Sequence, residues 1–238
     1  PNEKLVELLL VAGEARRLGA RRLLLVAPYL AYMRQDIAFH PGEVVSQKVV
    51  GGFLAGLFDG VLTVDPHLHR IATLGEAIPH GAALSLSGAP LLAGLIAGQL
   101  ERPLLIGPDA ESRQWIEAAA AAHGFDFGVC RKERRGDRDV EIVLPELAVA
   151  GRAVVLLDDV ASSGHTLARA AVLLREAGAA SVDVAVTHAL FAGDALELLR
   201  AAGVRHVWSS DCIPHASNAV SVAPLLAGAL AQLGVGAG

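Results

Sequence analysis

A loop of small polar residues follows two adjacent acids in the second half of the chain. Leu156-Leu157-Asp158-Asp159 places two carboxylates just beyond an apolar run that is typical of a buried strand, and Ser162-Ser163-Gly164-His165-Thr166 leads into a helical pattern. Small residues at a helix start present N–H groups and hydroxyls to an anion, and the helix dipole favours its charge. The acids would repel a phosphate but suit sugar hydroxyls or an accompanying cation. The segment predicts a ligand with a phosphate at one end and a polyol at the other.

The alternative interpretation of this segment is an ordinary helix start. Serine, threonine and aspartate are common helix-capping residues, and turn acids are usually solvated. The order of a strand, paired acids and a small-residue loop favours ligand binding over that alternative.

Other apolar runs also end in polar side chains. Asp65 is followed by His67 and His69, Asp109 follows another run, and His188 ends a third. Because ligands of parallel sheets bind at the carboxyl ends of the strands, these residues predict a shared site.

The elements that would position these residues alternate along the chain, which predicts parallel sheets in an α/β fold. The predicted helices are 5–18, 44–57, 91–100, 112–123, 166–177, 193–202 and 224–233. The predicted strands are 21–27, 60–65, 103–107, 125–131, 140–144, 152–157, 182–188 and 204–209, with the charged stretch 132–139 joining 125–131 to 140–144. The pattern resets after Pro79-His80-Gly81, which predicts two halves, 1–80 with 224–238 and 81–223.

Composition narrows the class of protein. Apolar residues make up 53% of the 238 residues and aromatic residues only 4%, which predicts an aliphatic core. The net charge of -5 argues against nucleic-acid or membrane-surface partners. No apolar run is long enough to span a bilayer without polar interruption. Cys130 and Cys212 lie far apart, and a reduced cytoplasmic protein is favoured over a disulfide.

The loop of 158–166 resembles the ribose 5-phosphate loop of the type I phosphoribosyltransferase fold. Earlier in the chain, 28–36 resembles the ATP-side motif of ribose-phosphate pyrophosphokinases, and 62–67 resembles that family's metal-histidine strand end. The segments 187–191 and 221–226 are also similar to family patterns. This resemblance runs from Pro1 nearly to the C-terminus. It implies two tandem phosphoribosyltransferase-like halves, each a mainly parallel sheet flanked by helices.

The resemblance also implies an activity and a set of residue roles. The enzyme would transfer the β,γ-diphosphoryl group of Mg-ATP to the 1-hydroxyl of ribose 5-phosphate, giving phosphoribosyl pyrophosphate and AMP, as a homo-oligomer. ATP would contact Arg34, Gln35 and Asp36, and His67 and Asp109 would hold Mg²⁺. Lys132 and Arg134 would be the catalytic cations of a flexible hairpin. Ribose 5-phosphate would be bound by Asp158, Asp159, Ser162, Ser163, Gly164, His165 and Thr166.

Alternatives remain for several of these roles. Arg34 and Gln35 also fit a solvated turn, and the charged hairpin also fits a solvated surface. Because magnesium prefers oxygen ligands, the role of His67 depends on the resemblance alone. His67 and His69 would instead suit a transition metal, although the sequence offers no third ligand at a suitable spacing.

The sequence departs from the family pattern at three places. His165 replaces a glycine of the phosphate loop, which requires a backbone conformation open to other residues. His69 stands where the family usually has an aspartate. Family members also carry a segment before the part that matches Pro1, so we expect a truncated chain.

Two other functions share part of this evidence. A phosphoribosyltransferase would need the loop but not Arg34, His67 or the Lys132 and Arg134 hairpin. A non-catalytic relative that regulates an active synthase would be expected to lack the two hairpin cations, and both are present.

Overall fold

The computed structural model describes residues 1–38, 40–79, 81–135 and 139–234, with only the backbone at 132–135 and 139–141. Residue 80, at the predicted reset, lies outside this description. The chain divides into two compact units, Pro1–Leu86 with Ala223–Gly238 and Ser87–Val222. The division into halves 1–80 with 224–238 and 81–223 stays a prediction.

Helices and strands alternate through most of the chain. The helices are α1 (Asn2–Arg17), α2 (Ser46–Leu57), α3 (Leu74–Ala77), α4 (Ala89–Gln99), α5 (Arg113–His123), α6 (His165–Glu176), α7 (Ala195–Ala201) and α8 (Ala223–Gln232). The strands are β1 (Leu24–Ala27), β2 (Gly60–Val64), β3 (Ala82–Leu86), β4 (Leu104–Gly107), β5 (Asp126–Val129), β6 (Arg131–Arg135), β7 (Asp139–Val143), β8 (Ala153–Ala161), β9 (Ser181–Ala189), β10 (Val204–Ser210) and β11 (Asn218–Val220).

The first unit is built on a three-stranded parallel sheet in the order β1-β2-β3. Every residue of the central strand β2 is buried, as expected for a strand covered on both faces. Leu54 of α2 and Leu74 of α3 pack with Val61 of β2 in one apolar cluster. This core holds in place the two segments that follow β1 and β2.

The second unit contains a six-stranded parallel sheet in the order β11-β10-β9-β8-β4-β5. Leu156 and its neighbours on alternate positions pack on one face with Leu174 of α6, while Leu157 packs on the other face with Ile116 of α5. Because both faces are covered, the first five residues of β8, 153–157, form a continuous apolar run in the sequence. The predicted α/β class with mainly parallel sheets is confirmed.

Two predicted strand arrangements are wrong. The first is the single strand 125–131, joined to 140–144 by the charged stretch 132–139. Instead β5 lies at the edge of the large sheet, and β6 pairs with β7 as a separate two-stranded antiparallel ribbon. Residues 132–135 are therefore strand rather than part of a connecting stretch, because antiparallel pairing needs no buried face.

The second correction concerns the paired acids. Strand β8 does not end at Leu157 but continues to Ala161, with Asp158 opposite Val186 and Val160 opposite His188. Asp158 and Asp159 consequently lie within the strand. Pairing with the nine-residue β9 outweighs the low strand propensity of aspartate.

No helix among the residues described above is long and apolar enough to cross a membrane.

Candidate active site

The phosphate-loop candidate connects β8 to α6 in the second unit. Its first carbonyls are held by the segment after β9: the Ala161 carbonyl accepts the N–H of Phe191 at 2.9 Å, and the Ser162 carbonyl accepts that of Ala192 at 3.0 Å. These bonds fix the start of the loop to the segment that follows β9. The loop is therefore a defined turn rather than a solvated connection.

Gly164 is the residue of this loop that requires glycine. Its φ is +75°, and a Cβ there would lie 3.3 Å from the Cβ and the carbonyl oxygen of Ala195. His165 is the first residue of α6 and is not among the described residues with a left-handed backbone. The histidine that departs from the family pattern thus occupies a helical conformation open to any L residue, and its side chain is exposed.

The start of α6 presents unused backbone donors. Within the residues that the structure describes, the N–H groups of Gly164, His165 and Thr166 have no hydrogen-bond partner. The first N–H groups of any helix lack intrahelical acceptors, and they form a favourable anion site together with the helix dipole. The loop can therefore donate several hydrogen bonds to one phosphate.

Asp158 and Asp159 provide negative charge beside this loop. Asp159 is 2% exposed and Asp158 is half-buried. Burial raises the pKa of Asp158 well above its ordinary value, and the charges of Asp159 and Asp109 raise it further. The charges of Asp159 and Asp109 thus repel that of Asp158, and bound cations or hydroxyl donors would relieve that repulsion.

Asp109 follows β4 and caps a single 3₁₀ turn, Ala110–Ser112. Its Oδ1 accepts the N–H of Glu111 at 3.0 Å, and its carbonyl accepts the hydroxyl of Ser112 at 2.6 Å. These bonds orient the carboxylate, and its charge acts on Asp158. Capping alone would explain the aspartate, so its role as a metal ligand stays a prediction.

The predicted ATP-side residues lie in the first unit, between β1 and α2. Arg34 and Gln35 have exposed side chains. The side chain of Asp36, in contrast, is only 3% exposed. Its Oδ1 and Oδ2 accept hydrogen bonds from Nη1 of Arg70 at 2.7 and 2.9 Å. Arg70 lies three residues after His67, so this pair ties the turn after β1 to the segment after β2.

His67 lies just beyond β2 in a strained segment of the first unit. Asp65 and His67 have φ values of +37° and +58°, in the left-handed region that favours glycine. Such strain often accompanies functional sites. Nε2 of His69 lies 3.0 Å from Nδ1 of His67, a hydrogen-bond distance between the two rings. A histidine at position 69 can therefore serve to orient the ring of His67.

Lys132 and Arg134 are both on β6, where they pair with Ile142 and Val140 of β7. Their side chains lie outside the part that the structure describes, as do Gly136, Asp137 and Arg138. Cys130, just before this ribbon, donates its N–H to the Gly107 carbonyl at 2.8 Å. Burial, together with the charge of Asp109, raises the pKa of its thiol to about 12. The thiol therefore stays protonated at neutral pH and is a packing group.

Sequence reasoning missed two residues of this region, Gln47 and Arg70. Gln47 is 1% exposed and bonds to the turn that contains Arg34. A polar residue on the apolar face of a predicted helix is the signal that could have found it. Arg70 carries no such signal, since its partner Asp36 lies 34 residues away in sequence.

Comparisons with known proteins cover both units. The family model described as the N-terminal domain of ribose phosphate pyrophosphokinase matches residues 1–57, and the phosphoribosyl transferase domain model matches 78–222. A ribose-phosphate pyrophosphokinase from Methanopyrus kandleri is 36% identical over 98% of this chain and 79% of its own length. One from Methanosarcina acetivorans is 35% identical over 90% of this chain and 74% of its own length.

A solved structure agrees with these relatives. The crystal structure of phosphoribosylpyrophosphate synthetase from Mycobacterium smegmatis has a TM-score of 0.84 and is 27% identical, covering 98% of this chain and 78% of that one. The resemblance read from the motifs is confirmed, together with the phosphoribosyltransferase-like fold. The chain belongs to the ribose-phosphate pyrophosphokinase family, and it is an enzyme of that family.

Proposed function

We propose that this enzyme transfers the β,γ-diphosphoryl group of Mg-ATP to the 1-hydroxyl of ribose 5-phosphate, giving phosphoribosyl pyrophosphate and AMP. The observation that carries the proposal is the donor-rich loop at Gly164–Thr166 beside the buried acids Asp158 and Asp159. The match of the family models to both units supports the synthase over a phosphoribosyltransferase, whose domain accounts only for 78–222.

The 5-phosphate of the sugar binds at the start of α6. The N–H groups of Gly164, His165 and Thr166, with the hydroxyls of Ser162, Ser163 and Thr166, supply donors of the kind that a phosphate needs. Asp158 and Asp159 accept the ribose hydroxyls, directly or through Mg²⁺. The exposed imidazole of His165 adds a further donor at the same helix end.

The acids of the second unit fit a magnesium ion. Carboxylate oxygens are its preferred ligands, and the raised pKa of Asp158 indicates surplus negative charge around it. Asp158, Asp159 and Asp109 would hold Mg²⁺, which neutralises charge on the transferred phosphates. The role of His67 rests on the family resemblance, because its ring nitrogen is a poor magnesium ligand.

ATP is bound by Arg34 and Gln35. A guanidinium pairs with a phosphate or stacks on a base, and a glutamine amide bonds to either. Both side chains are exposed on a turn whose backbone is fixed. Asp36, predicted as a third ATP contact, can serve the nucleotide by fixing that turn through Arg70.

In the reaction, the 1-hydroxyl oxygen of the sugar bonds to the β-phosphorus of ATP. The bond from that phosphorus to the oxygen of the α-phosphate breaks, AMP leaves with the electron pair, and the hydroxyl proton passes to solvent. Lys132 and Arg134 stabilise the charge that builds on the phosphate oxygens. No covalent enzyme intermediate is required, which agrees with the protonated thiol of Cys130.

The partners of this enzyme are then ATP and ribose 5-phosphate, with further copies of the chain in a homo-oligomer. Nucleic acid and membrane are not expected partners. The cytoplasmic location stays a prediction from the two cysteines, which are both buried and are not joined by a disulfide.

The test compares two reactions of the purified full-length protein. With Mg²⁺, ATP and ribose 5-phosphate, we expect AMP to form at a rate that depends on the sugar phosphate. With phosphoribosyl pyrophosphate and a purine or pyrimidine base, we expect no base-dependent release of pyrophosphate. The opposite pair of results would assign the protein to the transferases.

A further inference from the structure

Three hydrogen bonds fasten the turn after β1 to the first turn of α2, within the first unit. The hydroxyl of Ser46 donates to the carbonyl of Tyr32 at 3.0 Å. Nε2 of Gln47 donates to the carbonyl of Met33 at 3.1 Å, and the N–H of Gln47 donates to the carbonyl of Gln35 at 3.2 Å. The two bonds from Gln47 end on the residues immediately before and after Arg34.

The start of α2 explains why the turn is held there. Its N-cap residue Val45 makes no side-chain hydrogen bond, so the first N–H groups of the helix need other acceptors. The carbonyl of Gln35 is one of them. The turn thus caps the helix, and the helix in return fixes the turn.

The turn also needs external support. Tyr32 has a φ of +68°, a left-handed conformation that residues other than glycine seldom adopt. Its carbonyl is the acceptor for Ser46. Contacts with neighbouring elements are what maintain such a conformation.

A glutamine at position 47 is not explained by packing alone. It is 1% exposed and shares the buried face of α2 with Gly51 and Leu54. A glutamine amide is rarely buried, and it loses hydration that only a hydrogen bond replaces. A leucine or methionine of similar volume would fill the same space, so the amide serves the carbonyl of Met33.

We propose that Gln47 is a positioning residue for ATP, which acts by fixing the backbone on both sides of Arg34. The inference rests on the proposed binding of ATP by Arg34 and Gln35. Gln47 itself does not contact the nucleotide. Its side chain holds one end of the Arg34 backbone and its main chain the other, so that the exposed guanidinium is presented in one direction.

The test replaces Gln47 by methionine, which keeps the volume and removes the donor. We expect KM for ATP to rise about five- to tenfold, as the loss of one buried hydrogen bond implies, while kcat and KM for ribose 5-phosphate stay within about twofold. Leu54→Ala is the matched control, since Leu54 lies on the same buried face of α2 and its side chain forms no hydrogen bond with the turn. It should lower the melting temperature at least as much, with both KM values unchanged.

Amide hydrogen exchange gives a readout that does not depend on activity. In the protein without nucleotide, Gln47→Met should speed exchange at residues 33–36, while Leu54→Ala should not. If the methionine variant fails to fold, Ser46→Ala tests the same attachment from a half-buried position through the carbonyl of Tyr32. It should also raise KM for ATP selectively.

The outcomes separate this inference from the proposed function. An active wild type in which neither variant changes KM for ATP would overturn the positioning role. Equal rises of both KM values, or a rise in the Leu54→Ala control, would assign Gln47 to general stability. A wild type that forms no AMP would instead refute the proposed function, while faster exchange at 33–36 would still establish the attachment.

Discussion

The N–H of Asp159 donates to Oδ1 of Asp158 at 3.1 Å, a contact between two adjacent acids within strand β8. Burial is the largest cause of the raised pKa of Asp158, and the charge of Asp159 is the next. Aspartates in this arrangement destabilise the protein when both are ionised. The arrangement is useful only if a ligand or cation compensates that charge.

The pH dependence of stability follows from this pair. Because the pKa of Asp158 is higher in the folded protein than in the unfolded chain, folding takes up a proton between the two values, and stability falls as pH rises through that window. Asp158→Asn removes the effect. In EDTA, it should raise the melting temperature by about 2 °C or more near pH 8, with the gain vanishing toward about pH 4.

The control for this experiment is Asp194→Asn, at an exposed aspartate without a capping hydrogen bond. It should change the melting temperature near pH 8 by less than Asp158→Asn does. Adding Mg²⁺ to the wild type near pH 8 should stabilise it and so reduce the advantage of Asp158→Asn. If the higher melting temperature of Asp158→Asn depended on neither pH nor Mg²⁺, charge repulsion at Asp158 would not be its cause.

The left-handed backbone of Gly164 predicts how a substitution there changes KM for ribose 5-phosphate. Gly164→Ala places a Cβ on a residue with φ of +75° and 3.3 Å from Ala195, which costs about 1 kcal/mol or more and shifts the loop. We expect KM for ribose 5-phosphate to rise about tenfold, with a smaller change in KM for ATP. Steady-state kinetics with each substrate varied in turn measures both.

Gly178 offers a matched control at the other end of α6. It has a φ of +86°, and a Cβ there would lie 3.4 Å from Cβ of Ala150. Gly178→Ala should therefore lower stability to a similar extent and leave both KM values unchanged. If the two variants had the same effect on KM for ribose 5-phosphate, the loop would not be the phosphate site.

The two-stranded ribbon predicts a loss of turnover without a loss of fold. Lys132→Ala removes a proposed catalytic cation, and we expect kcat to fall about a hundredfold or more, the size of the effect when one transition-state donor is lost. The melting temperature should stay within about 2 °C, because the role proposed for Lys132 is in catalysis and not in folding.

Arg135→Ala is the control in the same strand. Position 135 pairs with Asp139 in the same ribbon, and its loss removes the same single charge. Its kcat should remain within about threefold of the wild type, because no contact between Arg135 and the transferred phosphates is proposed. Comparable losses for Lys132→Ala and Arg135→Ala would mean that net charge, rather than a placed cation, matters.

The pair of Asp36 and Arg70 predicts a stability effect within the first unit. Arg70→Ala removes this ion-pair partner from the carboxylate of Asp36, which is only 3% exposed. The loss should lower the free energy of unfolding by about 1–3 kcal/mol. Urea titration measures the change. Combining it with Asp36→Asn should cost less than the sum of the single substitutions. Arg113→Ala, which breaks an exposed pair with Glu117, should cost no more than about 0.5 kcal/mol.

The sequence was sufficient for the class of fold because the buried parallel strands are long apolar runs bounded by polar residues. It was less informative for β3 and β11, since Ala82–Leu86 mixes small and polar residues and Asn218–Val220 is only three residues long. Helix α3 was missed for the same reason, because four residues give no helical period. These short elements form through contacts with neighbours that are distant in sequence.

The candidate site shows a similar division. The loop at Gly164 could be found because small residues and a helix start are adjacent in sequence. That Asp158 and Asp159 lie within β8 could not be found, because the strand extends only where β9 is available for pairing. Gln47 and Arg70 act on residues 14 and 34 positions away, and local patterns do not show such pairs.

The nucleotide product formed from ATP and ribose 5-phosphate tests the central claim most directly. Phosphorus NMR of a reaction with Mg²⁺ should show AMP and phosphoribosyl pyrophosphate appearing in equal amounts, without ADP. Formation of ADP with a phosphorylated sugar, or persistence of ATP with the full-length protein, would contradict diphosphoryl transfer.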